Sequence, residues 1–480
     1  MTDPFALLPL AVAARGGSID GIPAHTLVAA GLTLLQRSAP LVRALARRRA
    51  ALLLPTSPAY LVALAASEGR GAVLMNPLAS PLEVEYQIAD AGVGAVFTIA
   101  ALAPLLPAGF PHVLLDSAPL GATVVIGGTA RAIDLGSHYA LDVEGDPDAP
   151  GDSEEAIIVY TSALYGRPLG AILTHRNLLA NARATVDAAA MLREERVLAA
   201  LPFSHLFGLV VSGVSPLLAG AQITTMPRFQ PVKALEILES DRTTMFVGVP
   251  AMFISLLSAM DRRGTGLAPG ALRLSICGGA VLAEEVQDRW FEATGTELRQ
   301  GYGLTEASPI ALFNSIALPN GRGTLGSAYP GVEITIRDPN SFVTLPDGAT
   351  GEICIRGDTV FAGYLQSREG PPAVGLELRD GWLRTGDLAM RRANGSIVFR
   401  GLAKAMFTRN GFNIYPREIE AAVAELSGVR SASVTAVPDP LRENDIALSV
   451  TGAVNEASVR AWCQRRLSAY KQPGTIVVAP

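Results

Sequence analysis

Along the first two-thirds of the chain, short apolar runs alternate with longer amphipathic segments. Uninterrupted apolar runs predict strands at residues 51–54, 94–98, 156–160, 244–248 and 272–277. Apolar residues that recur at spacings of three and four predict helices at residues 177–190, 231–239 and 284–294. This alternation is typical of an α/β protein built on parallel sheets.

The pattern changes after about Gly323. Short alternating segments separated by turn residues predict an antiparallel or barrel-like unit, with strands at 332–338, 351–356 and 396–400. The remaining residues predict a small α+β domain, with a helix at 416–426, a strand at 429–437 and a helix at 456–467. We therefore predict a large N-terminal domain over residues 1–401 and a small C-terminal domain over residues 402–480.

Composition narrows the possible functions. The 480 residues are 49% hydrophobic, which suffices for more than one domain with large cores. The net charge of −5 and the short basic runs exclude nucleic acid as an expected partner. Three scattered cysteines, Cys277, Cys354 and Cys463, favour buried thiols in a reduced, cytoplasmic compartment. The sequence leaves the oligomeric state open.

No segment reads as a signal peptide or a membrane span. The N-terminal apolar stretch has no basic residues before it, which makes it a poor signal peptide. The most apolar region, residues 206–221, is interrupted by Ser212, Ser215 and Pro216 and is shorter than the ~20 residues that cross a bilayer. We predict a buried helix there.

One loop has some of the features that hold a phosphate. Residues 160–175, YTSALYGRPLGAILTH, predict the end of a strand, a loop with two glycines and the start of a helix. Thr161 and Ser162 offer hydroxyl donors, but Leu169 and its neighbours Leu164 and Tyr165 are apolar where a phosphate site would carry hydroxyls and a lysine. Taken alone, the stretch favours an ordinary turn between a strand and a helix.

A second segment groups an aromatic ring, a hydroxyl and a carboxylate. In GYGLTEASP, residues 301–309, Tyr302 could stack on a base, Thr305 could donate to a phosphate, and Glu306 could bind Mg²⁺ together with phosphate oxygens. The alternative is a turn whose Thr and Glu cap the next helix.

Three further residues are candidates on local grounds. In GWLRTGDLA, residues 381–389, Asp387 could accept hydrogen bonds from a ribose diol or could belong to a hairpin turn. In LPFSHLFGL, residues 201–209, His205 lies in an apolar run, where a core histidine is the simplest interpretation. Lys404 stands where the two domains would meet, and the turn at Gly411 follows it, which suggests a pivot and a reaching loop.

Taken in order, these segments resemble the superfamily of adenylate-forming enzymes, which includes acyl-CoA synthetases, adenylation domains of nonribosomal peptide synthetases and beetle luciferases. The resemblance runs from about residue 50 to the C-terminus, and it is carried by IVYTSALYGRPLGAILTHRNLLAN, LPFSHLFGL, ICGGAVL, GYGLTEASP, GWLRTGDLA and GLAKAMFTRNGFNIYPREIE. It implies an α/β fold with a large N-terminal domain of two α/β subdomains plus a β-barrel, and a small α+β C-terminal lid, here shortened at its end. It also implies formation of acyl-AMP from a carboxylate and Mg·ATP, followed by attack of a thiol of CoA or of a phosphopantetheine carrier protein.

The resemblance also implies roles for individual residues. It assigns Thr161 and Ser162 to the phosphate loop, Tyr302 to the adenine face, Thr305 to the α-phosphate and Glu306 to magnesium. The other implied roles are the adenine edge for Gly278, Gly279 and Ala280, the ribose for Asp387, the acyl pocket for His205, the hinge for Lys404 and the thiol channel for Gly411.

The chain departs from the family pattern at positions that carry charge. Leu169 replaces the lysine of the phosphate loop, and Leu402 replaces an arginine just before the hinge. No residue up to Pro480 matches the family's adenylation lysine, and Lys471 belongs to the stretch before it. A positioned charge of this kind changes a rate about 10²–10³-fold, so these losses weaken adenylation more than binding.

Three functions remain open on this basis. The first is an acyl-activating ligase that makes acyl-AMP and then an acyl thioester. The second is a transferase that uses a preformed adenylate or thioester and joins the acyl group to a thiol or an amine. The third is a catalytically silent protein that retains the nucleotide pocket. The apolar residues 203–215 and 249–253 favour a fatty or aryl acid as the substrate.

Overall fold

A computed structural model describes residues 7–46, 48–67, 71–115, 120–136, 155–161, 168–240, 242–267, 272–365, 378–402 and 407–479. We call the described residues up to Leu402 the body and those from Phe407 onward the lid. The division at residues 401 and 402 stays a prediction, and the predicted hinge residue Lys404 lies outside the described residues.

The first sheet of the body has nine strands and a parallel centre. In order across the sheet, the strands are Ser327–Ala328, Ile310–Phe313, Leu298–Gly303, Leu274–Cys277, Met245–Gly248, Arg196–Ala199, Gln222–Thr225, Ser18–Ile19 and Ile22–Pro23. The strands from Leu298–Gly303 to Ser18–Ile19 pair in parallel, and the three outermost strands pair antiparallel. The central strand Met245–Gly248 is buried along its whole length, as expected for a strand covered on both faces.

The second sheet also has nine strands. In order, they are Gly363–Tyr364, Leu169–Thr174, Glu155–Thr161, Ala72–Leu74, Arg49–Leu52, Val93–Thr98, His112–Leu114, Gly121–Ile126 and Thr129–Asp134. The five strands from Glu155–Thr161 to His112–Leu114 pair in parallel, and both ends of the sheet are antiparallel.

Helices pack between and around the two sheets. The helices of the body are Leu7–Ala13, Ala24–Arg37, Ala39–Leu45, Ala59–Ala66, Pro81–Asp90, His175–Ala188, Ser215–Ala219, Pro231–Ser240, Pro250–Arg263 and Glu284–Thr294, with a π-helix at Phe207–Val214. Small residues let two of them approach closely, because a Cβ on Gly31 would lie 2.3 Å from the carbonyl oxygen of Val62. The alanine-rich sequence of this region therefore serves tight helix packing.

The third unit of the body is an antiparallel sheet, as the change of pattern predicts. Its strands are Val332–Arg337, Thr350–Gly357, Trp382–Arg391 and Leu378–Arg379, and Ile397–Leu402 pairs with Trp382–Arg391.

The lid has its own hydrophobic core. A hairpin of Phe407–Arg409 and Phe412–Ile414 precedes the helix Pro416–Ala424, and a three-stranded sheet of Val429–Asp439, Glu443–Gly452 and Thr475–Ala479 packs with the helix Glu456–Arg466. Its buried core includes Ile419, Leu448 and Val459. Except for the final residue, the lid is described throughout its length.

The predicted α/β class is confirmed, and one local prediction is wrong. The stretch predicted as a glycine loop entering a helix contains the strand Leu169–Thr174, which pairs antiparallel with Glu155–Thr161. The helix begins at His175, where Thr174 and Asn177 form a capping box. The β-branched residues Ile172 and Thr174 favour a strand. Pairing with Glu155–Thr161 makes the segment a strand and not a loop. Within the described parts of the chain, no helix is long and apolar enough to cross a membrane.

Candidate active site

A cavity of about 630 Å³ lies between the body and the lid. The predicted site residues that the structure describes all line it: Thr161, His205, Gly278, Gly279, Ala280, Tyr302, Thr305, Glu306, Asp387 and Gly411. Ser162 and Lys404, the other two predicted residues, lie outside the described residues. The structure therefore brings together residues that are more than 200 positions apart in the sequence.

Sheet topology explains why these residues meet. Gly278, Gly279 and Ala280 directly follow the strand Leu274–Cys277, and Thr305 and Glu306 directly follow Leu298–Gly303. These two strands are parallel neighbours, so both segments leave the same edge of the sheet. Crevices at the carboxyl ends of parallel strands are the usual ligand sites of such sheets.

Asp387 and Tyr302 are joined directly. The Tyr302 hydroxyl donates a hydrogen bond to Oδ2 of Asp387 at 2.6 Å. Burial, together with the charge of Asp387, raises the pKa of the Tyr302 phenol well above its usual value, so the hydroxyl stays a donor. A carboxylate offers about four lone-pair sites, so Asp387 can accept this bond and still accept bonds from a ligand.

A β-bulge directs Asp387 into the cavity. Where Thr350–Gly357 pairs with Trp382–Arg391, Glu352 is opposite Leu388 and Cys354 is opposite Arg384, so one residue faces three. Gly386, within this bulge, has a φ of +72°, which glycine adopts without strain. The alternative interpretation of Asp387 as part of a hairpin turn is therefore wrong, because the residue lies within a long strand.

Glu306 is buried at the cavity wall and is only 3% exposed. Its Oε1 accepts a hydrogen bond of 2.5 Å from the hydroxyl of Tyr364. The segment Thr305–Ala307 is a single 3₁₀ turn followed by the strand Ile310–Phe313, so these residues do not cap a following helix. The capping alternative for this motif is wrong.

His205 lines the cavity and is not packed in the core. Its ring is exposed to the cavity, and Nδ1 accepts a hydrogen bond from the backbone N–H of Phe207 at 3.2 Å. Removal from bulk solvent lowers the pKa of the imidazole, which favours its neutral form. Phe207 lies beside it, and the end of its ring would be 3.0 Å from a Cβ on Gly278. Phe207 and Gly278 therefore pack against each other in an apolar part of the cavity wall.

The two leucines that replace family cations also line the cavity. Leu169 and Leu402 both contribute to its wall. Among the described lining residues, Lys471 is the one lysine or arginine, whereas Glu83, Glu306, Asp387 and Glu443 supply carboxylates. Lys471 is not available to a phosphate, because Nζ lies 3.0 Å from Oε1 of Glu83 and 2.6 Å from Oε1 of Glu418.

The lid closes the cavity at the Gly411 turn. Gly411 has a φ of +77°, and a Cβ there would lie 2.8 Å from Cγ2 of Val249 on the body. Beside this turn, the backbone of Arg442 accepts a hydrogen bond from the N–H of Asn410 at 3.0 Å. Only glycine therefore lets the turn lie directly on the body.

Glu443 is a lid residue with an unusual environment. Both of its carboxylate oxygens are shielded from solvent, and neither has a hydrogen-bond partner among the described residues. Its backbone has a φ of +69°, which is uncommon for a residue with a side chain. Burial raises the pKa of the Cys277 thiol on the body, and the charge of Glu443 raises it further. The carboxylate therefore faces the body.

The cavity is also lined by residues outside the predicted site, among them Glu83, Tyr364, Glu443 and Lys471. A signal existed for Glu83, because Ser80 and Glu83 form the S-x-x-E pattern of a capping box. Lys471 lies in the stretch before the position of the family's adenylation lysine, so the motifs give it no role. Neither Tyr364 nor Glu443 stands in a pattern that predicts chemistry.

Comparison with known proteins identifies the class. Residues 41–365 match the family model of the AMP-binding enzyme, and residues 418–480 match the model of the AMP-binding enzyme C-terminal domain. The chain belongs to the AMP-binding enzyme family. This confirms the resemblance to adenylate-forming enzymes that the sequence motifs carry.

Individual relatives cover most of the chain. A long-chain-fatty-acid–CoA ligase of Salmonella typhimurium (strain LT2) is 31% identical over 464 residues, with 88% of this chain and 81% of the relative covered. A feruloyl-CoA synthase of Amycolatopsis sp. is 30% identical over 445 residues, with 89% and 84% covered.

Two solved structures differ in how closely they superpose on this chain. A malonyl-CoA ligase in a ternary product complex with methylmalonyl-CoA and AMP has a TM-score of 0.78 at 26% identity, with 98% of this chain and 96% of that chain covered. ATP-bound MatB from Rhodopseudomonas palustris has a TM-score of 0.68 at 27% identity, with 99% and 94% covered. Both confirm the fold of a large N-terminal domain with a small C-terminal domain.

Proposed function

We propose that this protein is an acyl-activating ligase that converts a carboxylic acid and ATP to acyl-AMP and then transfers the acyl group to a thiol. The observation that carries the proposal is the single cavity in which Tyr302, Asp387, Thr305 and Glu306 of the body meet the Gly411 turn of the lid. Membership of the AMP-binding enzyme family supports the same activity.

The nucleotide half of the cavity suits AMP. Asp387 would accept hydrogen bonds from the ribose hydroxyls, as carboxylates do in other nucleotide sites. The Tyr302 ring would lie against the adenine, with its hydroxyl held by Asp387. The backbone of Gly278, Gly279 and Ala280 would contact the adenine edge, and Thr305 would donate to the α-phosphate.

Glu306 fits a magnesium ion that takes most of its ligands from phosphate and water. Mg²⁺ in such sites is held by one or two carboxylates plus substrate oxygens, and Glu306 is a carboxylate at the cavity wall beside Thr305. The ion would neutralise phosphate charge when bound. Tyr364 orients the Glu306 carboxylate through its 2.5 Å hydrogen bond.

The acid is proposed to be fatty or aryl. The cavity wall includes Phe207, Gly278 and Ile310, which offer apolar surface and little polar recognition. Relatives named for long-chain fatty acids and for ferulic acid support this class. The neutral His205 ring would lie beside the acyl group.

The Gly411 turn supports the transfer step, because it places a loop of the lid against Val249 of the body at the cavity wall. In transfer, the thiol sulfur forms a bond to the acyl carbonyl carbon, and the bond from that carbon to the AMP oxygen breaks. The acceptor would be CoA or a phosphopantetheine carrier protein, reached past the Gly411 turn. A cytoplasmic location stays a prediction.

A specific observation favours a second candidate, a transferase that consumes acyl-AMP made elsewhere. Leu169 and Leu402 line the cavity where the family has a lysine and an arginine, so the described walls offer little to a triphosphate. A silent nucleotide-binding homologue is the third candidate.

Two measurements separate the candidates. Pyrophosphate release with ATP, Mg²⁺ and a panel of fatty and aryl acids reports adenylation. Thioester formation from synthetic acyl-AMP and CoA reports transfer. A ligase gives both signals, a transferase gives only the second, and a silent homologue binds AMP in calorimetry but gives neither.

A further inference from the structure

One buried ion cluster joins the lid to the body. Lys471, on the lid, is 5% exposed and contacts two carboxylates. Glu418 belongs to the lid helix Pro416–Ala424, whereas Glu83 belongs to the body helix Pro81–Asp90. Ser468 of the lid adds a hydrogen bond from its hydroxyl to Oε1 of Glu83 at 2.7 Å. We call Glu83, Ser468 and Lys471 the latch.

The body holds Glu83 ready for this contact. Its carboxylate accepts a hydrogen bond from the backbone N–H of Ser80 at 2.8 Å, and its own N–H donates to the Ser80 hydroxyl. This capping box fixes the side chain at the first turn of its helix, whether or not the lid is present. Docking therefore requires little additional ordering of Glu83.

The charges of the cluster allow the lid to separate. A buried ion that loses its partner is strongly destabilising, so a permanent core ion pair resists separation. Here Lys471 keeps Glu418 when the lid leaves, and Glu83 keeps the Ser80 N–H and gains water. Neither ion is left buried without a partner. This arrangement suits a contact that forms and breaks.

The latch and the Gly411 turn both border the cavity. Gly411 contacts Val249 near Gly279, at the proposed adenine edge of the cavity. Glu83 lies near Leu169 instead, because Tyr86 of the same helix donates a hydrogen bond to the carbonyl of Pro168. Two separate contacts fix the orientation of one rigid unit better than either alone.

We propose that Glu83, Ser468 and Lys471 are positioning residues that hold the lid in the orientation required for acyl transfer. This inference rests on the proposed transfer from acyl-AMP to a thiol. The latch residues act through the lid and not on the reacting atoms. Weakening the latch should therefore slow transfer and leave AMP binding to the body intact.

The sharpest test is Glu83→Gln, which leaves the Lys471–Glu418 pair in place inside the lid. Neutralising Glu83 replaces charge-assisted bonds with neutral ones about half as strong, so the equilibrium constant for lid docking should fall about tenfold to a hundredfold. Single-turnover transfer from synthetic acyl-AMP to CoA should fall in proportion to the docked fraction. The AMP dissociation constant by calorimetry should change less than threefold.

Two further variants keep the test specific. Glu456→Gln makes the same chemical change on an exposed lid carboxylate paired with Arg460, and its transfer rate should equal that of the unmodified protein. Ser468→Ala removes a lid donor to Glu83 and should slow transfer in the same direction as Glu83→Gln. In a cycle with Glu83→Gln, the combined loss should be smaller than the product of the two single losses, because both variants break one contact.

Lid docking can also be measured without catalysis. The native cysteines are buried, so Val42→Cys on the body and Val477→Cys on the lid, both exposed, accept a pair of fluorescent dyes. Energy transfer should show one dominant lid position in this double-cysteine protein and a second position after Glu83→Gln. If the unmodified protein transfers no acyl group, the proposed function is wrong. Energy transfer between the two dyes would still show whether Glu83 holds the lid against the body.

Three results would overturn the inference. Unchanged transfer and unchanged energy transfer in Glu83→Gln would mean that the contact does not hold the lid. Equal losses of AMP affinity and transfer rate would mean that Glu83 supports the body and not the lid. Losses that multiply in full in the cycle would mean that Glu83 and Ser468 do not act on one contact.

Discussion

Replacing Asp387 with alanine should weaken binding of AMP severely. In the proposed site, the carboxylate accepts two hydrogen bonds from the ribose diol, each worth ~1.5–3 kcal/mol when the acceptor is charged. Their loss amounts to ~3–6 kcal/mol, or about a hundredfold to ten-thousandfold in the dissociation constant. Calorimetric titration with AMP, in the absence of magnesium and acid, measures this change directly.

The Tyr302 hydroxyl provides the matched control. Asp387→Ala also leaves that buried hydroxyl without its 2.6 Å acceptor, which should lower the free energy of unfolding by ~1–3 kcal/mol. Tyr302→Phe keeps the ring of the proposed base contact and removes the hydroxyl, including its bond to Asp387. Its AMP affinity should stay within about threefold of the unmodified protein, while Asp387→Asn should lie between Tyr302→Phe and Asp387→Ala.

The refuting result is clear. If Asp387→Ala binds AMP within threefold of the unmodified protein and unfolds cooperatively, the ribose assignment is wrong. The role of Asp387 would then be to orient Tyr302.

Four further predictions address separate parts of the cavity. Leu169→Lys should strengthen ATP binding about tenfold to a hundredfold and leave AMP binding nearly unchanged, as measured by competition between the two nucleotides. Glu306→Gln should remove the magnesium dependence of nucleotide binding while the thermal unfolding midpoint stays close to that of the unmodified protein; undiminished magnesium dependence would contradict the assignment. Gly411→Ala should slow transfer because its Cβ would contact Val249. Gly395→Ala is the control for the cost of placing a side chain at positive φ, because Gly395 has a φ of +82° and no neighbour within 4 Å. Lid docking should be lost in acid. Burial alone would raise the pKa of Glu83, but Lys471 and Ser468 hold this pKa below its usual value. The docked lid is therefore favoured above the ordinary pKa of a glutamate and is released as pH falls through the lowered pKa of Glu83.

The alkaline side of this pH profile follows from Lys471. Burial acts to lower its pKa, but Tyr470, Glu418 and Glu83 outweigh burial and raise it well above the usual value. A raised lysine pKa stabilises docking below the ordinary lysine pKa, and this stabilisation is lost as pH rises through the raised value. Energy transfer between dyes on the lid and the body should therefore stay constant from neutral to mildly alkaline pH. Undocking in that range would contradict the assignment of charge to Lys471.

The parallel sheets could be predicted from the sequence because their strands are short and apolar on both faces. The predicted strand at 94–98 and the observed Val93–Thr98 differ by one residue, and the helix Glu284–Thr294 agrees at both ends. Local periodicity decides such elements, since each has one way to bury its apolar side chains.

The strand Leu169–Thr174 shows where local patterns fail. Its two glycines and its nearness to a helix favoured a loop, and only its pairing with Glu155–Thr161 makes it a strand. The β-bulge could not be predicted from the sequence either. The dipeptide Gly386-Asp387 is typical of a turn, but the residues on both sides of it pair with Thr350–Gly357, so it forms a kink within a strand.

The candidate site could be predicted where its residues lie next to strand ends or in family motifs. The bond between Tyr364 and Glu306 and the contact between Glu83 and Lys471 could not, because each joins segments that are distant in sequence. Glu83 and Lys471 are separated by 388 positions, and no local pattern relates them. The local interpretation of His205 as a core histidine is wrong for a different reason: an apolar neighbourhood in sequence is shared by core residues and by the walls of an apolar cavity, and His205 lines the cavity.

The charges that line the cavity favour the transfer half of the proposed reaction over adenylation. ATP brings a triphosphate that needs fixed cations, and the described walls offer one ammonium, which Glu83 and Glu418 already hold. Acyl-AMP carries a single phosphate charge, and in the proposed site Thr305 would donate to that phosphate. Opposing the latch, Glu443 brings to the face of the lid that meets the body a shielded carboxylate that has no hydrogen-bond partner among the described residues, and such a group disfavours the docked state. Glu443 therefore offsets part of the stabilisation that Glu83 and Lys471 give to the docked lid, and a ligand that binds one lid position more tightly would shift the lid toward that position.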